Sequence, residues 1–146
     1  MIFMKRNTPE KLIRRYKTKN PIDLAKSMGI LVIFEPLGEI NGYFNTAFRQ
    51  KIIHINSTLP QHKQLFTAAH ELGHAVLHPH ANTPFLREKT LFSVNKLEME
   101  ANKFAVDFLI SDADIKEVAH LPINKMAAYF GIHKKLMELR LSTYNV

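Results

Sequence analysis

The chain contains no cysteine. That removes disulfides, thiolate metal sites and cysteine nucleophiles from consideration, and it fits a protein of a reducing cytoplasm. No run of apolar residues approaches the roughly 20 needed to cross a bilayer, so no membrane role is expected. Repeats and low-complexity tracts are missing too, which argues against repeat architectures. The opening Met1-Ile2-Phe3-Met4-Lys5-Arg6 is too short for a signal peptide, and charge follows at once.

What is present is a chain of 146 residues, 46% of them hydrophobic, which suits one domain over 1–146 with a real core. The net charge of +7 is uneven, because residues 1–20 hold seven basic side chains against one acidic. This basic, helical N-terminal arm could attract an acidic protein or nucleic acid, or simply form a solvated helix face.

Local signals give an α+β chain. Thr8-Pro9 opens a short helix through about Lys17, and Asn20-Pro21 opens a second that Gly29 closes. Ile30–Glu35 has strand length and stops at Pro36; further strands are expected near Gly42–Ala47 and Lys51–Ile55. Together they predict a small, mostly antiparallel three-stranded sheet. A long amphipathic helix follows from about Pro60 to Leu77, then a loop over 79–94, then a second long helix from about Lys96 to Ile110. Ser111 caps a short helix, Pro122 starts another, and beyond Gly131 a last helix runs to about Leu141.

The first long helix carries His70-Glu71-Leu72-Gly73-His74, an H-E-x-x-H motif. Residues four apart share a helix face, so two imidazoles can reach one zinc at about 2.0–2.1 Å. Glu71, beside His70, can take a proton from the attacking water and deliver it to a leaving amine. The bland alternative is a polar helix face that holds histidines by chance.

A catalytic zinc needs a third protein ligand and an open position. His80 has the spacing of a metzincin third histidine, but position 77 is Leu where that pattern needs a turning glycine. Otherwise the ligand is Glu98 or Glu100 of the next helix, or neither of them. Glu98 shares its edge with Ala101 and Ala105, small enough to let two helices approach, and Asn102 could orient a histidine. Against Glu98, Asn95 three residues earlier reads as a capping box that would occupy the carboxylate. His78 continues the series from His70 and His74 but stands too far along a straight helix to share their metal. It reads as a helix-end residue or a support to the ligands. His54, His62, His120 and His133 read as surface or packing residues, while Tyr43, His54 and His80 are open choices for an oxyanion helper.

The stretch His70–His78, followed by Glu98-Met99-Glu100-Ala101-Asn102-Lys103-Phe104-Ala105, resembles the ImmA/IrrE family of zinc metallo-endopeptidases. Asn20-Pro21-Ile22-Asp23, Gly29-Ile30 and Lys51-Ile52-Ile53 are similar as well, so the resemblance spans roughly residues 15–140. It implies a gluzincin-like core with Zn²⁺ on His70, His74 and a glutamate of the later helix. It also implies a protein substrate, a helix-turn-helix repressor often encoded beside the peptidase on a prophage or mobile element. Cutting such a repressor releases silenced genes, commonly after DNA damage. Ser111-Asp112 departs from the Met-Pro pair the family often has there, and the length matches its short, stand-alone form.

Two rival readings stand beside it. Met126–His133 resembles the turn of a helix-turn-helix within about 122–142, with Lys134, Lys135 and Arg140 as DNA contacts. A non-catalytic zinc-fold adaptor is the other, although Glu71 is in place for catalysis.

Overall fold

The computed structural model describes residues 8–81, 83, 85–87, 93 and 95–144. Residues 1–7 of the basic arm and much of the 79–94 loop lie outside them. Thr8 and Asn20 cap as expected. Thr8 Oγ1 accepts from Lys11 N–H to start α1 (Pro9–Tyr16), and Asn20 Oδ1 accepts from the N–H groups of Ile22 and Asp23 to start α2 (Pro21–Ser27). The described part of the arm is not free: Leu12 is buried in the main core and α1 packs against α4 (Lys96–Leu109).

The three strands are β1 (Leu31–Glu35), β2 (Gly42–Ala47) and β3 (Gln50–Asn56). Their spatial order is β1-β3-β2, with β3 antiparallel to β2 and parallel to β1. The sheet is therefore mixed where the sequence suggested mostly antiparallel pairing. The physical reason lies in β3, whose Ile53 and Ile55 are fully buried and claim the centre. The more polar β2, with exposed Asn45 and Thr46, goes to the edge. The β2–β3 hairpin turns at Phe48 and Arg49, both in the left-handed region (φ 51° and 65°), as a tight two-residue hairpin turn requires.

Asn56 ties the end of β3 to its surroundings. Its Nδ2 donates to the carbonyls of Gly38 and Ile40, and its Oδ1 accepts from Thr58 N–H, just before α3 (Gln61–Leu77). The core between sheet and helices includes Leu24, Phe44, Ile53, Ile55, Leu72, Phe104 and Phe108. A second cluster joins Ile110, Ile115, Val118, Met126, Ala127 and Met137. It unites α5 (Asp112–Val118), α6 (Ile123–Phe130) and α7 (Lys134–Leu141). No helix among the described residues is long and apolar enough to cross a membrane.

Two glycines set distances that matter for the site. A Cβ on Gly73 would stand 3.1–3.2 Å from the Phe104 side chain, so this residue lets α3 and α4 close on each other. A Cβ on Gly42 would lie 2.5 Å from both the His54 carbonyl oxygen and Thr67 Cγ2, so β2 meets α3 here with no room for a methyl group. Gly42→Ala should destabilise the protein by about 1–3 kcal/mol, the usual range for overpacking a tight core. Denaturant titration checks this, and an unchanged midpoint would refute the close contact.

Candidate metal centre

Helix α3 places His70 and His74 one turn apart on its buried face, and the first turn of α4 places Glu98 opposite them. Glu98 Oε2 lies 3.2 Å from His70 Nε2, and Glu98 Oε1 lies 2.7 Å from His74 Nε2. The three residues are buried, and each offers a ligand atom within 4.8 Å of the others. Ligand atoms around a tetrahedral zinc stand about 3.4 Å apart, so this grouping is close to the spacing that one ion would bridge.

The unmet hydrogen bonds fit a cation. His74 Nε2 and Glu98 Oε1 are near neighbours but are not aligned as donor and acceptor, and neither has a hydrogen-bond partner among the described residues. Both carboxylate oxygens of Glu71 are likewise buried without a partner. Orphaned polar atoms in a protein interior are costly, and four gathered at one point call for a group that satisfies them. Two imidazoles and a carboxylate are a donor set that suits a divalent transition metal.

The surrounding hydrogen bonds show where each residue singled out in the sequence stands. Asn95 does cap α4, its Oδ1 accepting from the N–H groups of Leu97 and Glu98 at 2.9 and 3.3 Å. The Glu98 carboxylate does not complete that capping box; it turns inward to the histidines. Asn102 Oδ1 sits 2.9 Å from His70 Nδ1, the orienting contact the sequence suggested. Glu100 lies outside the trio and meets His78 Nε2 at 2.9 Å. His80 is exposed and is not part of the convergent group. His54 is buried on the sheet, with Nδ1 2.7 Å from Glu35 Oε2 and Nε2 2.8 Å from Asn45 Oδ1, its ring stacked on Tyr43. The pairing of His78 with Glu100 has little signature in the sequence. The only available signal was the proline after His78, which forces the chain out of the helix at that residue.

Burial dominates the ionisation of Glu71 and pushes its pKa up to about 8; the Glu98 charge adds to the rise and His74 opposes it. Burial also penalises the charged form of Glu98, yet the hydrogen bond with His70 and the close approach of the His74 ring outweigh it and hold the group at about 2. The two carboxyls thus act on stability in opposite directions in metal-free protein. Glu98 contributes stability above its ordinary value of 4.5 that is lost as pH falls towards about 2. Glu71 favours the fold most below 4.5, and that contribution is lost as pH rises towards about 8. Metal-stripped Glu71→Gln should therefore melt close to the natural protein at pH 4.5 and above it at pH 8, by on the order of a few kcal/mol. Thermal melts in chelator across that range check the prediction, and a gap independent of pH would contradict it.

Comparison with known proteins gives the family. Residues 25–142 match the IrrE N-terminal-like domain of the M78 peptidases. An uncharacterized immunity region protein 2 of Bacillus phage phi105 is 44% identical over 134 residues, 90% of this chain and 85% of that protein. The metallopeptidase ImmA of Bacillus subtilis (strain 168) is 31% identical over 139 residues, 91% of this chain and 81% of its own length. With the match covering most of the chain, including both helices that carry the buried trio, this protein belongs to the M78 metallopeptidase family with the IrrE N-terminal-like domain.

Proposed function

We propose that this chain is a zinc-dependent endopeptidase of the gluzincin type that cuts a helix-turn-helix repressor in the cytoplasm. In this reading His70, His74 and Glu98 hold the metal and Glu71 is the catalytic residue. The observation that carries it is the convergence of three buried ligand atoms beside a second buried carboxylate with no hydrogen-bond partner among the described residues. Zinc, when bound, would acidify a water and polarise the scissile carbonyl.

Glu71 does the proton work. Its Oε2 lies 4.0 Å from His70 Nε2, beside the ligand trio but outside it. The carboxylate takes a proton from water as the water oxygen bonds to the carbonyl carbon. It then gives that proton to the nitrogen of the leaving amine as the C–N bond breaks. Asn102 keeps the His70 ring in place through Nδ1, leaving Nε2 for the metal.

The edge strand β2 offers the substrate a place to lie. Leu86 already pairs with Gly42 at one end of it, with Leu86 N–H donating to the Gly42 carbonyl at 2.8 Å. By the alternation of an antiparallel ladder, the backbone groups of Phe44 and Thr46 face the same open side. A groove of about 740 Å³ runs there, lined by Tyr43–Thr46, Arg49, Lys51 and parts of the 79–85 segment. An extended segment of the repressor could add to this edge by backbone hydrogen bonds, which narrows the docking stretch from Gly42–Ala47 to its further part. Of the three oxyanion choices, His54 has both ring nitrogens engaged, which leaves Tyr43 and His80, both lining the groove.

Support for a repressor substrate comes from the family resemblance and from the relative named for a phage immunity region. The rival DNA-binding reading loses one of its contacts. Arg140 is buried, its Nε donating to the Ile110 carbonyl and its Nη2 to Asp112 Oδ1, both at 2.7 Å. A non-catalytic adaptor would have no use for Glu71 as an unpartnered buried acid.

Glu71→Gln should keep the metal and lower cleavage of the co-expressed neighbouring repressor by at least about 10²-fold, the scale of general acid–base catalysis. Metal analysis and cleavage assays on both proteins check this. Cleavage by Glu71→Gln at the natural rate would end the peptidase assignment to this site.

A further inference from the structure

We infer that His78 and Glu100 are positioning residues that lock His74 in the one tautomer able to bind a metal through Nε2. The inference rests on the metal reading of the trio and adds two residues outside it. His74 Nδ1 lies 3.0 Å from His78 Nδ1, and His78 Nε2 lies 2.9 Å from Glu100 Oε1.

The direction of these bonds follows from proton counting. A ligand nitrogen must present its lone pair, so the single ring proton of neutral His74 sits on Nδ1. That N–H needs an acceptor, and the atom facing it is Nδ1 of His78. His78 must therefore be bare at Nδ1 and carry its proton on Nε2, where the Glu100 carboxylate accepts it. Every donor then meets one acceptor, ending on a charged group that strengthens the chain of bonds. Reversing the direction would put a proton on His74 Nε2 and block the metal.

The backbone is shaped to make this contact. Pro79 disfavours the helical conformation at the residue before it. His78 leaves the helix at φ −133° and ψ 52°, while its N–H still bonds the His74 carbonyl at 2.7 Å. The two rings meet at 5.2 Å between centroids, tilted by 52°. His78 is buried, and Glu100 is exposed at the outer end of the relay. Helix α4 thus supplies Glu98 to the trio, Asn102 to orient His70 and Glu100 to orient His74 through His78.

The test is zinc affinity of the full chain, measured by competition with a chromophoric chelator. His78→Ala should weaken zinc by roughly 10–100-fold, the usual cost of removing an orienting partner. His78→Asn returns an acceptor oxygen near the place of Nδ1 and should recover part of the loss. Glu100→Ala, at an exposed position, should weaken zinc with little change in the melting temperature of the metal-free protein, so the inference stands or falls even if His78→Ala folds poorly. In a His74→Ala background, His78→Ala should cost nothing further. Long-range ¹⁵N spectra of the zinc-loaded protein should show the proton of His78 on Nε2 and that of His74 on Nδ1.

If the natural protein bound no zinc, the metal reading would fall and this inference with it. If it bound zinc and both the His78→Ala and Glu100→Ala variants bound as tightly, only the inference would fall. An equal loss from His78→Ala with and without His74, or a His78 proton on Nδ1, would also overturn it.

Discussion

Helix α3 can lie on α4 closely enough for one ion to span them only because the residues between them are small. Gly73 leaves room for the Phe104 ring, and Ala101 and Ala105 are fully buried on the facing helix. A larger side chain at position 73 would press on Phe104 and push the histidines away from Glu98. The glycine inside the H-E-x-x-H motif thus serves packing. The sheet contributes from the other side, where Gly42 lets β2 approach Thr67 of the same helix.

That close packing buries four ionisable side chains, His70, Glu71, His74 and Glu98, almost completely. Few interiors tolerate such a concentration without a compensating charge. Asn102 and His78 engage only the outer ring nitrogens of the histidines, leaving the inner atoms turned towards a common point. A cation at that point would answer the electrostatic cost and would tie metal uptake to the stability of the α3–α4 pair. The same burial raises the proton affinity of Glu71, which makes it both a strain on the empty fold and a candidate base in the loaded one.

Much of this was legible in the sequence. Proline, asparagine and glycine marked the helix ends within a residue or two, since capping is local chemistry. The i, i+4 histidines and the small-residue edge of α4 announced the helix pair. Strand order was not legible, because nothing local to Leu31–Glu35 says that β3 will slot in beside it in parallel. The β2–β3 turn carried no Asn-Gly signal; Phe48 and Arg49 adopt left-handed conformations that sequence does not advertise. The choice between Glu98 and Glu100 stayed open for a different reason. Asn95 offered Glu98 a second use as a cap partner, and only the direction of its side chain separates the two. Both glutamates turned out to face the histidine series, one directly and one through His78, a distinction that depends on where Pro79 bends the chain.

Positions 98, 100 and 102 of a single helix each address a different part of the histidine series. The arrangement therefore encodes rotational phase three times over, and it says nothing about the length of chain that joins α3 to α4. Adding residues within 79–94 would leave that phase intact. Adding one residue just before Ala101 would turn the two ends of α4 by about 100° relative to each other and separate Glu98 and Glu100 from Asn102. Length variation among relatives of this protein should accordingly collect between the two helices and be absent from the first two turns of α4.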